Sequence, residues 1–490
     1  MAKRYSQQEQ TLKDALNNHP PTNATPRKSS GHARISKVPT GLGAEPLNIV
    51  ILGASYAGLA VAHHFLDHTI NQLRITSSAP NYRLIIVSPS THLYWNVAGP
   101  RVLVSPELVE GDKLFIPLEQ ALHRHRAHKT SIIQGEAVAL DTSARTVTIE
   151  LIGSTAQKRA GQINKRKSAV QFSTVPTDLK VQTLGYHALI IATGSSAHSD
   201  LLSLHGPHLN TLGALNDFHA RVEAAETIVV AGGGCSGVET AGQLAAYLNY
   251  HKHSLPKRRR IKNPKRILLI TGSDRCLPTQ PNQAISAKAA RQLGKLGVEP
   301  LHSTRVLAAK HPSNPTAPTR LELSTGSSLL ADLYIPCTGV TPNTAFLSTN
   351  LKDAHGNVLT NPSTLRLDEG QAGPRVYAIG DCAVYSRNNL QDVYSAIPAL
   401  MQNLGNDLLA HEYRLASPYG GNQAEIDALE DEVFVKEEKE SWFVPIGKRG
   451  GVGMAKGKGV PGWVIGWMKG EDWLVKRAGR AAEGGRSPYG

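Results

Sequence analysis

The sequence predicts an α/β protein with two similar parallel-sheet domains, the second inserted in the first. An apolar strand, a glycine turn and a helix follow one another in "NIVILGASYAGLAVAHHF" at Asn48–Phe65, and the same order returns from Thr227 in "TIVVAGGGCSGVETAGQLA". Two further apolar strands run into a glycine, in "ALIIATGSS" and "RVYAIGDCA". Strands that alternate with helices in this way are typical of βαβ units. We therefore expect two Rossmann-type domains and a small C-terminal region.

Length and changes in composition indicate how the chain is divided. A chain of 490 residues is too long for a single hydrophobic core. Its start is rich in Pro, Ser, Thr, Asn and Lys, which is typical of a disordered segment. The predicted divisions are a disordered basic tail at 1–45, the first part of one domain at 46–215, an inserted domain at 216–345, the second part of the first domain at 346–429 and a C-terminal region at 430–490.

Hydrophobic patterns predict the elements between the glycine turns. "SIIQGEAVALD" and "RTVTIELI" indicate a β-ribbon, and a basic, polar insertion follows at about 154–173. Helices are expected at Leu59–His68, from Gly237 to about Tyr250, and from about Ala396 to His411.

The net charge of +14 is concentrated in a few basic runs, among them Lys158–Lys167 and Lys257–Arg266. Such runs attract nucleic acid, anionic membranes or acidic ligands, and they also occur as solvated loops. No helix-turn-helix and no aromatic-rich recognition motif accompanies them. We therefore do not expect nucleic acid to be the main partner.

The cysteines and the apolar segments exclude several classes of protein. The four cysteines, which form no CxxC pair and no zinc-ligand spacing, are Cys235, Cys276, Cys337 and Cys382. We expect reduced, mostly buried thiols and no metal site. No apolar run approaches the roughly 20 residues of a membrane-spanning helix, and no secretory-signal pattern begins the chain. The expected location is intracellular.

Each glycine turn has the form that binds a dinucleotide. A glycine turn between strand and helix lets the backbone approach a pyrophosphate, and the helix N-terminus offers it free N–H groups. The first turn, "GASYAG", has Ser55 where the middle glycine usually stands, and Ala57 excludes the GxSxG elbow of serine hydrolases. The second turn, "GGGCSG", has all three glycines, Gly232, Gly234 and Gly237.

The residue expected to bind the ribose is unusual in both units. An acid at the end of the second strand ordinarily binds a ribose hydroxyl. The first unit offers Ser88 instead, whose hydroxyl can still hydrogen-bond a ribose. The second unit has Gly272 at the strand end, followed by Asp274 and Arg275. Since arginine favours a 2′-phosphate and aspartate disfavours it, both NADH and NADPH stay open.

Four segments in one order, "NIVILGASYAG", "ALIIATGSS", "TIVVAGGGCSGVETAG" and "RVYAIGDCA", resemble the FAD-dependent pyridine nucleotide-disulfide oxidoreductases over about 47–411. "THLYWNVAGPRVLV" and the tail "VPIGKRGGVG…VPGWVIGWMKGEDWLVKRA" resemble the apoptosis-inducing-factor-like, mitochondrion-associated branch, which includes the ferroptosis suppressor protein. The resemblance implies FAD on the first unit, NAD(P)H on the second, and a cytoplasmic or mitochondrion-associated protein.

The resemblance also implies which residues bind the cofactors. Arg101 would approach the flavin, the Ala137 backbone the adenine, and Asp381 the ribityl chain or pyrophosphate of FAD. Glu239 would lie near the nicotinamide. The full set expected at FAD is Gly53, Ala54, Ser55, Ala57, Gly58, Ser88, Arg101, Ala137 and Asp381, and the set expected at NAD(P)H is Gly232, Gly234, Gly237 and Glu239.

The helix after the first turn lacks the cysteine pair of the disulfide-bearing members. Hydride would pass from NAD(P)H to FAD, and without that pair the electrons must leave the flavin directly. The resemblance implies a quinone as acceptor, or another small-molecule acceptor, and no catalytic side chain is required. Two alternatives are an oxidoreductase that tailors a specialised metabolite and an apoptosis-inducing-factor-like DNA-binding flavoprotein. The C-terminal region suggests a peripheral membrane contact through Trp463, Trp467 and Trp473. The lysines interleaved with these tryptophans are Lys456, Lys458, Lys469 and Lys476.

Overall fold

The computed structural model describes residues 45–104, 114–125, 128, 130–153, 171–172, 180–251, 260–280, 282–314, 317–439 and 441–489. The predicted tail, most of the insertion at 154–173 and the start of the Lys257–Arg266 run lie outside these residues. The described residues belong to one compact unit, Ser36–Gly490.

The N-terminal part of the described chain alternates strands with helices. Its elements are β1 Leu47–Leu52, α1 Tyr56–His64, α2 Ile70–Gln72, β2 Tyr82–Ser88, β3 His92–Tyr94, α3 Gly99–Val102, β4 Phe115–Pro117, α4 Leu118–Ala121, β5 Thr130–Asp141, β6 Thr146–Leu151, β7 Gln171–Phe172, β8 Val181–Gly185, β9 Ala188–Ile191, β10 Ser195–Ala197 and α5 His208–Val222. A π-helical turn at Phe65–Thr69 follows α1.

The remaining elements continue the same alternation up to a final group of short ones. They are β11 Thr227–Ala231, α6 Cys235–Leu248, β12 Arg266–Ile270, α7 Gln283–Leu296, β13 Val298–Leu301, β14 Val306–Lys310, β15 Thr319–Leu323, β16 Ser328–Ala331, β17 Leu333–Pro336, β18 Val340–Pro342, α8 Glu369–Ala372, β19 Val376–Ala378, α9 Leu390–Ala416, α10 Gln423–Asp427, β20 Trp442–Ile446, β21 Gly450–Ala455, β22 Lys458–Gly459, α11 Gly462–Ile465 and α12 Ala478–Gly484. A second π-helical turn, Gly466–Gly470, follows α11.

Two sheets with parallel cores organise these elements. The first has the order β19-β9-β1-β2-β5-β6-β8 and is parallel from β19 to β5. The second has the order β13-β12-β11-β17, with all strands parallel, and a three-stranded antiparallel sheet β14-β15-β16 lies beside it in sequence. Strands such as β9 are buried along their whole length, as expected for a parallel sheet covered on both faces. The predicted α/β class is confirmed.

The second sheet is an insertion in the first. All of its strands lie in sequence between β9 and β19, and these two strands are neighbours in the first sheet. β10, which leaves the first sheet, pairs with β18, which returns from the second. The exact domain boundaries stay predictions.

The predicted elements are present, but several of their ends differ. β5 and β6 form the expected antiparallel ribbon. α1 begins at Tyr56, three residues before the predicted start at Leu59. It ends at His64, and the π-helical turn follows it. α9 begins at Leu390 instead of about Ala396, because the Asn389 side chain accepts the Asp392 N–H and caps the helix there.

The C-terminal region packs against both units. The β20–β21 hairpin lies against α6 and α7, and α12 lies against α1. Among the described helices, none combines the length and apolar composition needed to cross a bilayer.

Candidate functional site

The first glycine turn joins β1 to α1 and has no room for a side chain at either end. Gly53 has a φ of 105°, and an ideal Cβ there would lie 2.2 Å from the carbonyl oxygen of Ala192, just after β9. A Cβ at Gly58 would lie 1.9 Å from the carbonyl oxygen of Gly53. Because backbone packs directly on backbone at both positions, only glycine fits there.

The second glycine turn, between β11 and α6, repeats this geometry. Gly232 has a φ of 122°, and an ideal Cβ there would lie 2.0 Å from the carbonyl oxygen of Cys337, just after β17. A Cβ at Gly237 would lie 1.8 Å from the carbonyl oxygen of Gly232. The two turns therefore have the same backbone arrangement relative to their sheets.

The middle of each turn fits a pyrophosphate. Ser55 and Gly234 are exposed, and a Cβ at Gly234 would meet no other atom within 4 Å. α1 and α6 begin directly after these residues, so the free N–H groups of each first helical turn lie at the open side of the loop. A pyrophosphate requires both a close backbone approach and such N–H groups. The residues present therefore fit one dinucleotide at each turn.

The strand ends expected to bind ribose carry hydroxyl residues. Ser88 ends β2, donates to the Ser90 carbonyl at 2.9 Å and accepts the Ser90 N–H at 3.3 Å. Thr271 follows β12, and its hydroxyl accepts the Ser273 N–H at the same 3.3 Å. Since the Ser88 proton is directed to Ser90, a ribose at this place would meet Ser88 as an acceptor.

Asp381 lies beside the first turn. It follows β19 and accepts a hydrogen bond from the Ser195 hydroxyl at 3.3 Å. A Cβ at the preceding residue, Gly380, would lie 3.2 Å from Cβ of Ala57. Burial raises the pKa of Asp381, and the bond from Ser195 opposes that shift. The structure thus brings Asp381 and the first turn together at one edge of the sheet.

Ala137 lies on β5, next to β2 in the first sheet. A β-bulge interrupts the β5–β6 ladder between Ala137 and Ala139. A bulge leaves backbone groups outside the regular ladder, which suits the predicted backbone contact with adenine.

Glu239 and Lys469 form a buried ion pair beside the second turn. Glu239 is 6% exposed and accepts a hydrogen bond from Lys469 Nζ at 2.7 Å. Nζ also donates to the Phe443 carbonyl at 3.2 Å. Burial raises the pKa of Glu239, and Lys469 opposes the shift. Burial alone lowers the pKa of Lys469, but the attraction of Glu239 outweighs it and the pKa is raised.

Arg101 joins α3, α6 and the C-terminal region. Its Nε donates to Gln243 Oε1 at 2.9 Å, and its Nη2 donates to the Gly470 carbonyl at 2.6 Å. The guanidinium carbon lies 4.9 Å from the ring centre of Tyr247 and 5.8 Å from that of Trp473. These contacts are structural, and the predicted approach of Arg101 to the flavin stays a prediction.

The predicted membrane-contact surface included Trp473 and Lys469, and for these two residues the prediction is wrong. Trp473 is fully buried, and its carbonyl accepts a hydrogen bond from Trp95 Nε1 at 3.1 Å. Lys469 is held by Glu239. Trp463 and Trp467 are 72% and 70% exposed, and membrane contact through them stays a prediction.

The described end of the basic run Lys257–Arg266 is used in packing. Lys265 donates to the carbonyls of Glu223 and Ala225 at 2.6 and 2.7 Å. Arg266 pairs with Glu299 at 2.9 Å. These two charges are therefore not presented to a partner as a free patch.

The thiol of Cys382, next to Asp381, is buried as expected. Its Sγ lies 3.5 Å from the carbonyls of Ile191 and Ile379, and burial raises its pKa. Burial also raises the pKa of Cys337 to about 12. Both environments disfavour the reactive thiolate.

Sequence reasoning missed the polar face of α6. Glu239, Gln243 and Tyr247 stand four residues apart on a helix whose other residues are mostly apolar. That spacing puts them on one face, where they meet Lys469 and Arg101. The four-residue spacing could have been recognised in the sequence, whereas the partners of these residues could not.

Comparisons with known proteins agree with this geometry. The sequence profile described as pyridine nucleotide-disulphide oxidoreductase matches residues 47–401. Oxidoreductase phnG of Penicillium herquei is 34% identical over 437 residues, which are 87% of this chain and 94% of that protein. Ferroptosis suppressor protein 1 of Homo sapiens is 25% identical over 343 residues, 69% of this chain and 74% of that one.

The fold is shared with solved structures as well. The structure of NDH2 from Plasmodium falciparum in complex with NADH gives a TM-score of 0.58 at 14% identity, and the match covers 90% of this chain and 98% of that chain. With two equivalent dinucleotide turns on two such sheets, the chain belongs to the pyridine nucleotide-disulphide oxidoreductase family and takes FAD and NAD(P)H as its cofactors.

Proposed function

We propose that the protein passes hydride from NAD(P)H to FAD, and electrons onward to a quinone-type acceptor without a redox disulfide. The observation that carries the proposal is the pair of equivalent glycine turns, of which neither is followed by a cysteine pair. FAD supplies the hydride and electron chemistry when it is bound. The protein residues bind and orient the cofactors and exclude water.

The roles of the residues follow from their positions. Gly53 and Gly58 let the backbone approach FAD, while Asp381 accepts hydrogen bonds at the same edge of the sheet. The pair of Glu239 and Lys469 fixes the C-terminal region against the second turn.

Optical spectroscopy of the full chain tests the proposal. We expect a flavin spectrum that is bleached anaerobically by NADH or NADPH and recovers rapidly with a short-chain quinone. A protein without flavin, or a flavin that neither coenzyme bleaches, would overturn the proposal. Recovery with oxygen or a specialised metabolite, but not with a quinone, would replace the acceptor.

We also propose a peripheral membrane contact through the Trp463 and Trp467 face. Both indole rings are exposed, on α11 and the π-helical turn that follows it. Lys456 and Lys458, at the turn from β21 to β22, are exposed as well. Indole rings favour the headgroup region of a bilayer, and lysines favour anionic lipid.

Flotation with phosphatidylserine vesicles tests this contact. The double variant Trp463→Ser/Trp467→Ser should bind at least about tenfold more weakly than the parent. Leu307→Ser/Leu330→Ser is the matched control, because it removes two exposed apolar side chains from β14 and β16. Equal binding of the parent and the tryptophan variant would contradict the proposal.

A further inference from the structure

The adenosine end of the second unit contains a group of cationic side chains. In a Rossmann unit the pyrophosphate lies at the glycine turn and the adenosine ribose at the end of the second strand. Here that place is Thr271, whose Oγ1 would lie 2.4 Å from a Cβ built at Gly233. The strand end therefore adjoins the turn. Thr271 is an uncharged residue whose hydroxyl already bonds within its own loop.

Two loops are joined at this edge. Thr271 N–H donates to Leu301 at 2.9 Å, and Thr304 N–H donates back to Thr271 at 3.0 Å. Ser303 N–H donates to Ser273 at 2.9 Å. The loop after β13 is thus held in fixed register beside the loop after β12.

This register places Arg305 over Gly272. Arg305 Nε lies 3.0 Å, and its Cγ 3.1 Å, from the position of an ideal Cβ on Gly272. Its backbone is anchored, because its N–H donates to Ser324 Oγ at 2.9 Å. Among the described residues its guanidinium has no hydrogen-bond or ion-pair partner. A charged donor is therefore held at the strand end where an acid ordinarily stands.

Two further nitrogen atoms near this edge are buried without a partner. Arg275 Nη2 donates to the Pro278 carbonyl at 3.3 Å, but its Nε has no acceptor among the described residues. Nδ1 of His302 is likewise without a partner there. Unsatisfied buried polar groups are costly. Asp274 is the one acid in the loop 271–275, and it is exposed.

We propose that Arg305 and Arg275 bind the 2′-phosphate of NADPH, so that NADPH is preferred over NADH. The coenzyme's use as a reductant rests on the proposed function, whereas its binding does not. Arg305 reaches the phosphate from the neighbouring strand's loop, which explains why the sequence after β12 alone left the choice open. Guanidinium groups recognise phosphate through charge-assisted hydrogen bonds.

Binding of two nucleotide fragments to the full chain tests this proposal. Calorimetry with 2′,5′-ADP and with 5′-AMP isolates the contribution of the 2′-phosphate. We expect 2′,5′-ADP to bind at least about tenfold tighter, and Arg305→Ala to remove most of that advantage while 5′-AMP changes less than about twofold. Arg320→Ala is the matched control, since Arg320 is an exposed arginine on β15 that donates to Ser328.

The other outcomes are equally decisive. Equal binding of the two fragments by the parent, or equal loss of both in Arg305→Ala, would overturn the proposal. Arg275→Ala provides a second variant, for which the same selective loss is expected. If 2′,5′-ADP is preferred but neither coenzyme bleaches the flavin, the proposed function fails and this assignment stands.

Discussion

The two glycine turns have the same backbone geometry but differ in exposure. In the first, Ser55 is exposed, while Tyr56 and Ala57 are buried. In the second, three consecutive residues, 234–236, are exposed. The Tyr56 hydroxyl donates to Asn96 at 2.7 Å, which ties the first turn to the 3-10 turn 96–98. A closed turn suits a cofactor that stays bound, and an open turn suits one that enters and leaves in each cycle.

The largest expected effects come from two single substitutions, each of which should remove one of the two nucleotide sites. Gly53→Ala combines a positive φ with a backbone clash, and should cost on the order of 4 kcal/mol and prevent FAD binding. Gly232→Ala should abolish the response to NAD(P)H while FAD is retained. The flavin-to-protein absorbance ratio and anaerobic bleaching measure the two effects.

Gly213→Ala is the control for these variants, because a Cβ there meets nothing within 4 Å and its φ is not positive. Loss of FAD from both glycine variants, or from neither, would show that the two turns do not serve separate nucleotides.

The next effect concerns the buried ion pair at the second turn. Lys469→Met leaves the Glu239 carboxylate buried without a partner and should lower the free energy of unfolding by about 3 kcal/mol. Glu239→Gln/Lys469→Met should recover part of this loss. Urea unfolding measures both variants, and a double variant no more stable than the single one would contradict the paired role.

As the pH is lowered, the first unit should lose stability before the second unit does. Within the described part of the chain, the histidines whose pKa is lowered, chiefly by burial, lie in the segments 46–215 and 346–429; they are His63, His64, His92, His125, His187, His208 and His411. The pKa is about 2 for His187, which faces Arg375, His411 and Arg145, and about 4 for His125.

The sign follows from proton binding. An unfolded histidine has a pKa of about 6.5, so below that pH the unfolded chain binds more protons than the folded one. The contribution of one such buried histidine to the free energy of unfolding is therefore fully present above about pH 7. It decreases by about 2 kcal/mol between pH 7 and pH 5. FAD release followed against pH should begin in this window. His187→Phe should reduce the slope, and an unchanged slope would exclude His187 as a contributor.

The smallest effect belongs to the middle of the second turn. Gly234→Ala adds a methyl group in open space, so the melting temperature should stay within about 2 °C, while the dissociation constant of NAD(P)H rises about tenfold. Gly294→Ala on α7, which is equally open, is the control. Ser55→Gly should leave FAD binding unchanged, because the first turn already has a side chain at the equivalent position. Tight NAD(P)H binding by Gly234→Ala would show that the coenzyme does not approach Gly234.

The turns could be predicted from sequence because their geometry is local. Gly58 is required by the carbonyl of Gly53, five residues before it, and Gly53 by the backbone of Ala192 after β9, but both glycines belong to one short motif. The ends of α1 and α9 were harder to predict, since the cap at Asn389 and the π-helical turn after α1 do not alter the apolar periodicity by which the helices were recognised.

Contacts between distant segments gave no local signal. Lys469 and Glu239 are separated by 230 residues, and Arg305 reaches a strand end that belongs to another loop. The C-terminal tryptophans show the same limit: Trp467 and Trp473 are only six residues apart in sequence, yet Trp467 is exposed and Trp473 is buried. Trp473 packs beside Trp95 and Arg101, which belong to distant segments of the chain.

The pairing of β9 with β19 has a consequence for biosynthesis. On the ribosome, the strands of the inserted sheet emerge together, whereas the first sheet must wait for its edge strand until the whole insertion has been made. α12 arrives later still, and its Ala482 carbonyl lies 2.8 Å from Nε2 of His63 on α1. Flavin capture should therefore be among the last events of maturation, after the inserted domain has already folded.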